Sequence, residues 1–232
     1  NYFNWGPEYL IATLLSLNND FTNEWIWSEP NWNDLNNHDT SPIGFIYGDG
    51  LTEKESDYLA EFINELAGGL KLFTGPLNFE DGSVYLAGGQ EANELDIWYT
   101  PQLLKGIGDK ASEKHDDTSF KSAKEIANAY KSSFPELEPP VIGMILVGPR
   151  NDKGWSQAHF EGGQYAARAL DGKMITVDFV NPADNPDLTI PGIAEDMIDQ
   201  GASVIIATSD DMKDGILEAA AMFPDTNFVW SS

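Results

Sequence analysis

The sequence has no cysteine and few basic residues. Its 232 residues include 13 Lys and Arg against 38 Asp and Glu, which gives a formal net charge of -25. Without cysteine, the chain has no disulfide, no thiolate metal site and no cysteine nucleophile. A surface this acidic repels phosphates, so we expect neither nucleic acid nor a membrane surface as a partner. The charge is compatible with solubility in an extracellular setting, with cation binding or with charge-tuned assembly.

Long hydrophobic runs are also missing. No apolar stretch reaches the length of about 18 residues that a membrane-spanning helix needs, so we expect no membrane insertion. The chain starts at Asn1 rather than at methionine, from which we expect a processed product or a fragment. Its length and its 41% of hydrophobic residues favour one main domain with additions.

The second half alternates short β-branched apolar runs with segments of helical periodicity. Strands that are separated by helices need crossover connections, which produce a parallel sheet with helices on both faces. We therefore predict a flavodoxin-like α/β fold. The predicted strands are residues 141–147, 174–180, 202–208 and 227–232, and the predicted helices between them are residues 154–170, 193–200 and 214–222.

The first half has a different pattern. A helix is predicted at its start, followed by a Trp-, Asn- and Asp-rich stretch with little periodicity, and Thr52 with Glu55 forms a capping-box sequence. Asp81-Gly82 predicts the turn of a hairpin. The predicted elements are a helix at 5–17, a strand at 41–47, a helix at 52–66, a hairpin at 71–88, a helix at 91–107 and a charged linker at 108–140 that contains a weak helix at 119–130.

Two stretches of the second half resemble a known family. Residues 142–163 (IGMILVGPRNDKGWSQAHFEGG) and 201–224 (GASVIIATSDDMKDGILEAAAMFP) are similar to the amino-terminal portion of the basic membrane protein (BMP) family, the purine-nucleoside-receptor-like solute-binding proteins of ABC transporters. In the first half, Trp5-Gly6-Pro7 with Tyr9, and residues 73–77 (FTGPL), resemble the carboxy-terminal portion of the same family.

The resemblance implies a rearranged order of segments. Members of this family are two-lobed clamshells whose chain returns at its end to complete the first lobe. Here the returning segment, residues 1–107, precedes the opening segment, residues 141–232, and sequence for the second lobe is absent. We therefore expect one circularly permuted lobe, a periplasmic-binding-protein type I lobe with a β-hairpin extension, in which Asn1 and Ser232 are neighbours at the hinge. The alternatives are a junction between tandem copies in a longer precursor, or a neighbouring chain that supplies the missing part.

Two loops are predicted to meet at the carboxyl edge of the sheet, where ligands of such folds bind. They follow the first and third strands, at residues 148–157 and 208–214. By resemblance, Trp155 matches the family's stacking aromatic residue, Asp152 a polar contact to the ligand and Ser209 a loop residue that lines the cleft. The candidate ligand-binding residues are Asn151, Asp152, Trp155, Ser156, Ser209 and Asp210.

A competing interpretation of this cluster is structural: Trp155 packs on the sheet and Asp152 caps the following helix. Ser156 also departs from the family, because nucleoside binders commonly carry Asn beside the aromatic residue. A hydroxyl does not make the paired donor and acceptor contacts that an amide makes, which weakens the expectation of purine recognition.

The sequence contains no pattern that predicts catalysis or a cofactor. Residues 31–39 offer oxygen ligands but lack the glycine and distal Glu of a calcium loop, and the three histidines show no metal-type spacing. Ser209 lies outside any G-x-S-x-G motif, and the adjacent side chains of Asp210 and Asp211 do not face each other. We therefore expect a protein that is not an enzyme and that holds neither a metal nor a cofactor.

Two functions remain. The first is a secreted or cell-surface solute-binding protein for a small polar, nucleoside-like ligand. The second is an extracellular structural subunit with a degenerate ligand site, which assembles into a filament, tube or ring through copies of itself or a partner chain that covers the hinge edge. Aromatic residues are enriched at interfaces, so Trp25, Trp27 and Trp32 are the candidate interface residues, unless they cover the outer face of the lobe itself.

Overall fold

A computed structural model describes residues 1–21, 25–107, 120–122, 138–182, 184–185 and 187–231. The chain divides into two compact units, one formed by residues 1–46 and 121–232 and the other by residues 47–120. Most of the predicted linker lies outside the described residues, as does Ser232, so its predicted proximity to Asn1 stays a prediction. The same holds for the predicted organisation in which residues 1–107 and 141–232 complete one lobe.

The helices and strands follow the predicted order closely. The helices are α1 (Gly6–Leu17), α2 (Glu53–Ala67), α3 (Glu94–Trp98), α4 (Trp155–Ala169), α5 (Ile190–Asp199) and α6 (Lys213–Met222), the last preceded by a 3-10 turn at Asp210–Met212. The strands are β1 (Tyr2–Phe3), β2 (Trp25–Trp27), β3 (Ile43–Gly44), β4 (Leu77–Asn78), β5 (Val84–Leu86), β6 (Phe120–Ser122), β7 (Val141–Ile145), β8 (Lys173–Val177), β9 (Val204–Ala207) and β10 (Asn227–Trp230).

The first unit is built on a four-stranded parallel sheet in the order β10-β9-β7-β8. In its register, Ile142 lies opposite Met174 of β8 and Val204 of β9, and Phe228 lies opposite Ile205. The predicted parallel sheet flanked by helices is confirmed. From β7 the chain runs outward to β8 on one side, and it then returns to β9 on the other. The topological switch point of the sheet therefore lies between β7 and β9.

Both faces of this sheet are buried. On one face, Met144 and Ile206 pack in a hydrophobic cluster with Tyr9 of α1. On the other face, Ile145 and Ile205 pack in a second cluster, with residues of α5 and α6. Strands that are buried on both faces need apolar side chains at successive positions, which explains the continuous apolar runs in β7 and β9.

Helix α1 lies against α4 on the first of these faces. The two helices approach closely at glycines: a Cβ added to Gly162 would lie 2.6 Å from the Trp5 Cβ, and one added to Gly6 would lie 2.8 Å from Cδ1 of Tyr165. At the other end of α1, the Ser16 hydroxyl accepts a hydrogen bond from the Asn227 amide at 2.9 Å. The amino-terminal segment of the chain therefore contributes a helix, α1, to the layer that covers the sheet.

The strand predicted at 41–47 is shorter in the structure, and it pairs in a separate two-stranded sheet. Only Ile43–Gly44 forms a strand, and this strand pairs antiparallel with β1, with Tyr2 opposite Gly44. It is not hydrogen-bonded into the parallel sheet. Tyr2 also explains why a glycine occupies position 44, because a Cβ there would lie 2.0 Å from the Tyr2 ring.

The second unit contains the predicted capped helix and hairpin. Helix α2 begins at a capping box in which Thr52 accepts a hydrogen bond from the Glu55 N–H at 3.3 Å and donates its own N–H to the Glu55 carboxylate at 2.8 Å. Strands β4 and β5 form an antiparallel hairpin with Leu77 opposite Leu86. The helix predicted at 91–107 is limited to α3, because Pro101 lacks the N–H that a longer helix needs.

The close contact between α1 and α4 gives a stability prediction. Gly162→Ala is expected to destabilise the protein by about 1–3 kcal/mol, because the new methyl group meets the backbone of Trp5. An ordinary Gly→Ala change inside a helix stabilises by up to about 1 kcal/mol, so the sign itself is informative. Urea unfolding measures the change. The matched control is Glu161→Ala on the exposed side of α4, and a Gly162→Ala variant that is more stable than wild type would contradict the packing.

Candidate functional site

The carboxyl edge of the sheet at the switch point brings the two predicted loops together. Ile145 at the end of β7 lies opposite Ala207 at the end of β9. The Trp155 indole N–H donates a hydrogen bond to the Thr208 carbonyl at 2.7 Å, and the Thr208 hydroxyl donates to the Ile145 carbonyl at 2.9 Å. The loops after β7 and β9 are thus directly bonded to each other.

Asp152 caps helix α4. Its carboxylate accepts hydrogen bonds from the backbone N–H groups of Gly154 at 2.8 Å, of Ser156 at 3.0 Å and of Gln157 at 3.0 Å. Partial burial raises the pKa of Asp152, but these hydrogen bonds outweigh that effect and lower the pKa below its usual value. The geometry matches the structural interpretation of Asp152, and a contact to a ligand stays a prediction.

Ser156 and Asn151 occupy opposite environments in the same loop. The Ser156 hydroxyl is buried and accepts a hydrogen bond from the Gly148 N–H at 3.0 Å. A Cβ on Gly148 would lie only 3.1 Å from that hydroxyl. Because glycine has no Cβ, the loop is able to pass this close to Ser156. Asn151 lies in the exposed turn before α4. Ser156 therefore holds the loop, whereas the Asn151 side chain is exposed to solvent.

Trp155 is partly packed and partly open, with 37% of its surface exposed. Its ring lies edge-on to His159 with centroids 4.6 Å apart, to Trp5 at 6.1 Å and to Phe3 at 6.3 Å. With the hydrogen bond to Thr208, these contacts fix the orientation of the indole. The exposed remainder of the ring is what a ligand would contact.

A buried His159 lies behind Trp155. Its ring stacks on Trp5, with centroids 4.4 Å apart and an interplanar angle of 22°, and its Nδ1 is hydrogen-bonded to the Tyr9 hydroxyl. Burial lowers the pKa of His159 to about 3, although the charge of Asp152 opposes this shift. The imidazole is therefore neutral at physiological pH. Among the described residues, the Nε2 of His159 and the Nε1 of Trp5 are buried without a hydrogen-bond partner.

The sequence prediction missed this aromatic cluster. Trp155 and His159 are four residues apart on α4, and Trp5 precedes Tyr9 by four residues at the start of α1. That spacing places each pair on one side of its helix, and it is the feature of the sequence from which the cluster could have been predicted. The pairing of the two sides required knowing that α1 packs on α4.

The second loop contains Ser209 and Asp210. The Ser209 hydroxyl accepts a hydrogen bond from the Asp211 N–H at 3.4 Å at the start of the 3-10 turn, and the Ser209 carbonyl accepts one from the Trp230 indole at 3.0 Å. The Lys213 ammonium lies 5.3 Å from the centroid of the Trp230 ring. Asp210 is exposed. The two predicted residues lie on the loop that is bonded to Trp155.

The three candidate interface tryptophans lie in or after β2. Trp27 is half-buried and Trp32 is 39% exposed, while the side chain of Trp25 lies outside the described part of the structure. Their role at an interface stays a prediction. In the described ranges, no group of three or more His, Asp or Glu side chains is arranged to hold a metal ion. None of the described helices combines the length and the apolar character needed to cross a membrane.

The segment that builds the parallel sheet matches a known family. Residues 140–232 match the Bmp family, described as ABC transporter substrate-binding protein PnrA-like. This match confirms the resemblance drawn from residues 142–163 and 201–224, and the family that these residues are similar to is one of substrate-binding proteins. Residues 1–107 lie outside the matched range, so their resemblance to the carboxy-terminal portion of the Bmp family stays a prediction.

Among solved structures, an ABC transporter solute-binding protein from Conexibacter woesei is similar to part of the chain. The two share 18% sequence identity over 38% of this chain and 28% of that chain, with a TM-score of 0.33. The similar region therefore spans little more than a quarter of that protein. No curated protein matches the chain.

The buried His159 predicts a specific pH dependence. Its folded-state pKa of about 3 lies below the unfolded value of 6.5. At a pH between these two values, the unfolded state binds a proton on this imidazole that the folded state does not bind. The protein should lose stability as pH falls below 6.5, at roughly 1 kcal/mol per pH unit from this group. Comparing urea unfolding of wild type and His159→Gln from pH 7 to pH 4 isolates the effect from that of the carboxylates. Parallel curves for the two proteins would show that His159 titrates normally.

Proposed function

We propose that this chain is a solute-binding protein of the Bmp type, which binds a small, uncharged, nucleoside-like ligand at the carboxyl edge of its sheet. The observation that carries the proposal is the hydrogen bond from the Trp155 indole to the Thr208 carbonyl, which joins the two edge loops. The same indole ring is partly exposed, so it is able to contact a ligand. This arrangement lies in the segment that matches the Bmp family. The proposed setting is extracellular or periplasmic, with an ABC transporter as the partner that receives the ligand.

Exposed aromatic rings at this edge support a ligand with a flat face. Phe3 is 54% exposed and lies against Trp155, and Phe179, which follows β8, is 65% exposed. The N–H of Phe179 donates a hydrogen bond to the Gly148 carbonyl at 3.4 Å, so this ring belongs to the same edge. Its φ of 59° is unusual for a bulky residue, and such strained backbone is concentrated at functional sites.

The polar groups support a ligand without a phosphate. The N-terminus of α4 is the position where a parallel-sheet fold commonly binds an anion. Here the Asp152 carboxylate already accepts hydrogen bonds from those N–H groups, and it repels a second anion. We therefore assign the contacts with the ligand to Asn151, Trp155, Ser209 and Asp210. Asp152 and Ser156 then hold the loop rather than touch the ligand.

We also propose that the amino-terminal segment, which contains α1, belongs to the same lobe as residues 141–232, as in a circular permutation. Tyr9 of α1 is buried beside Ser231 at the end of the chain, and the Ser231 N–H donates a hydrogen bond to the Ala207 carbonyl at 2.9 Å. The start of α1 and the end of β10 lie close together at one edge of the sheet, which supports the proposed permutation. Phe3 then supplies an aromatic wall to the ligand site of this lobe.

Substitution of Trp155 tests the proposed site. Adenosine and guanosine should raise the melting temperature of the wild-type protein, and calorimetry should show that Trp155→Ala weakens binding about fivefold or more, since stacking on a base contributes about 1–3 kcal/mol. Trp155→Phe keeps a ring but loses the hydrogen bond to Thr208, which separates stacking from loop positioning. Adenosine monophosphate should bind more weakly than adenosine because of Asp152.

The matched control is Trp32→Ala, which removes an exposed indole elsewhere. The proposal fails if no nucleoside binds at millimolar concentration, or if Trp32→Ala weakens binding as much as Trp155→Ala does.

A second candidate function, self-assembly, is favoured by the surface of α2. Within the described structure, no residue of α2 is buried, although Leu59, Phe62 and Ile63 form an apolar stripe along it. An apolar stripe of this kind is typical of a surface that another chain covers. The partner that we propose is a second copy of the chain, with Trp25, Trp27 and Trp32 as further contacts.

Charge gives this candidate a distinctive test. Each copy carries a formal charge of -25, so association should strengthen as salt screens the repulsion between copies. Light scattering after gel filtration should show a larger mass at 1 M than at 0.05 M NaCl, and Phe62→Ser should abolish the increase. Leu217→Ser, an equally drastic change at an exposed position of α6, is the control. A monomer at every salt concentration would exclude self-assembly.

A further inference from the structure

A groove runs between α4 and the edge strand β8, with a volume of about 490 Å³. Its principal lining residues are Arg150, Phe160, Gln164, Arg168, Met174 and Thr176. Arg150 comes from the loop after β7, and Arg168 lies in the last turn of α4. The groove therefore follows the length of α4 along the outer side of the sheet.

Both arginines of the sequence line this groove. The other basic residues that contribute to the 13 Lys and Arg are lysines, and the chain as a whole is strongly acidic. Arginine differs from lysine in presenting a planar fork of donors that fits a carboxylate or a phosphate with two hydrogen bonds. A structural explanation accounts for Arg168, since a cation is favourable in the last turn of a helix, but it does not explain why the two arginines share one groove.

Arg150 is held in place by its neighbours. Its Nε donates to the Asp178 carboxylate at 2.7 Å, and its guanidinium carbon lies 5.1 Å from the centroid of the Phe160 ring. The ion pair uses Nε and fixes the guanidinium at the rim of the groove. Asp178 also neutralises the charge of Arg150, so the net positive charge of the groove comes from Arg168.

The remaining polar side chains of the groove have no partner within the described part of the chain. In the described ranges, no hydrogen bond or ion pair engages the side chains of Gln164, Arg168 or Thr176. These groups supply a guanidinium, an amide and a hydroxyl, and the ring of Phe160 with the thioether of Met174 supplies an apolar wall. The volume lies within the range of roughly 300–1,000 Å³ that is typical of small-molecule sites.

We propose that this groove binds a small organic anion, with its carboxylate or phosphate on Arg168 and its apolar body against Phe160. The site is separate in its chemistry from the carboxyl edge, where Asp152 disfavours anions. It does not depend on the proposed nucleoside site, because its side chains differ from those that contact the nucleoside.

The test uses benzoate and phenyl phosphate as probes and benzyl alcohol as the neutral analogue. Calorimetry or two-dimensional NMR of the whole chain should show saturable binding of at least one anion and at least tenfold weaker binding of benzyl alcohol. The stronger of the two anions identifies the head group. Arg168→Gln should weaken binding tenfold or more, and Gln164→Leu, which keeps the charge, should weaken it by a smaller factor.

Lys71→Gln is the matched control, because it removes one positive charge from an exposed position in the other unit of the chain. Its affinity for the anions should equal that of wild type. The proposal is overturned if neither anion binds, if benzyl alcohol binds as well as benzoate, or if Lys71→Gln loses as much affinity as Arg168→Gln.

Discussion

The packing of α1 against α4 is the contact on which the first unit depends. Gly162 allows the Trp5 backbone to lie against α4, and this brings the Trp5 ring onto His159. One end of α1 is therefore fixed at the carboxyl edge of the sheet, beside Trp155, and the Ser16 hydroxyl fixes the other end through Asn227. Without α1, the face of β9 that carries Ile206 would lack part of its cover. A single helix thus stabilises the core and shapes the candidate site.

The parallel sheet was predictable because burial on both faces leaves a strong trace in the sequence. Continuous apolar runs such as residues 141–147 arise only where neither face of a strand meets water, and the intervening helices then require parallel pairing. Element boundaries were less predictable. The helix expected at 91–107 ends near Trp98 because Pro101 interrupts it, and the strand expected at 41–47 is reduced to the two residues that pair with β1.

The sequence allowed the meeting of the two edge loops to be predicted, but not the contacts that each side chain in them makes. The sequence shows that Asp152 and Ser156 follow a strand, yet it does not show that the Asp152 carboxylate accepts three backbone hydrogen bonds, or that the Ser156 hydroxyl is buried against Gly148. Those facts depend on the path of the loop between β7 and α4. The same limit applies to His159, whose burial requires a helix more than a hundred residues away in the sequence.

The distribution of charge restricts what each surface is able to bind. At the N-terminus of α4, the backbone N–H groups that would otherwise attract an anion are hydrogen-bonded to the Asp152 carboxylate. Asp210 adds a further negative charge on the neighbouring loop. An uncharged ligand avoids the repulsion that a phosphate would meet there. Along the outer side of α4 the situation is reversed, because Arg168 has no partner in the described ranges and an acidic protein offers few other cations to a small anion. The N-terminus and the outer side of one helix therefore differ in charge, and the Asp152 carboxylate at the first turn of the helix is what separates them.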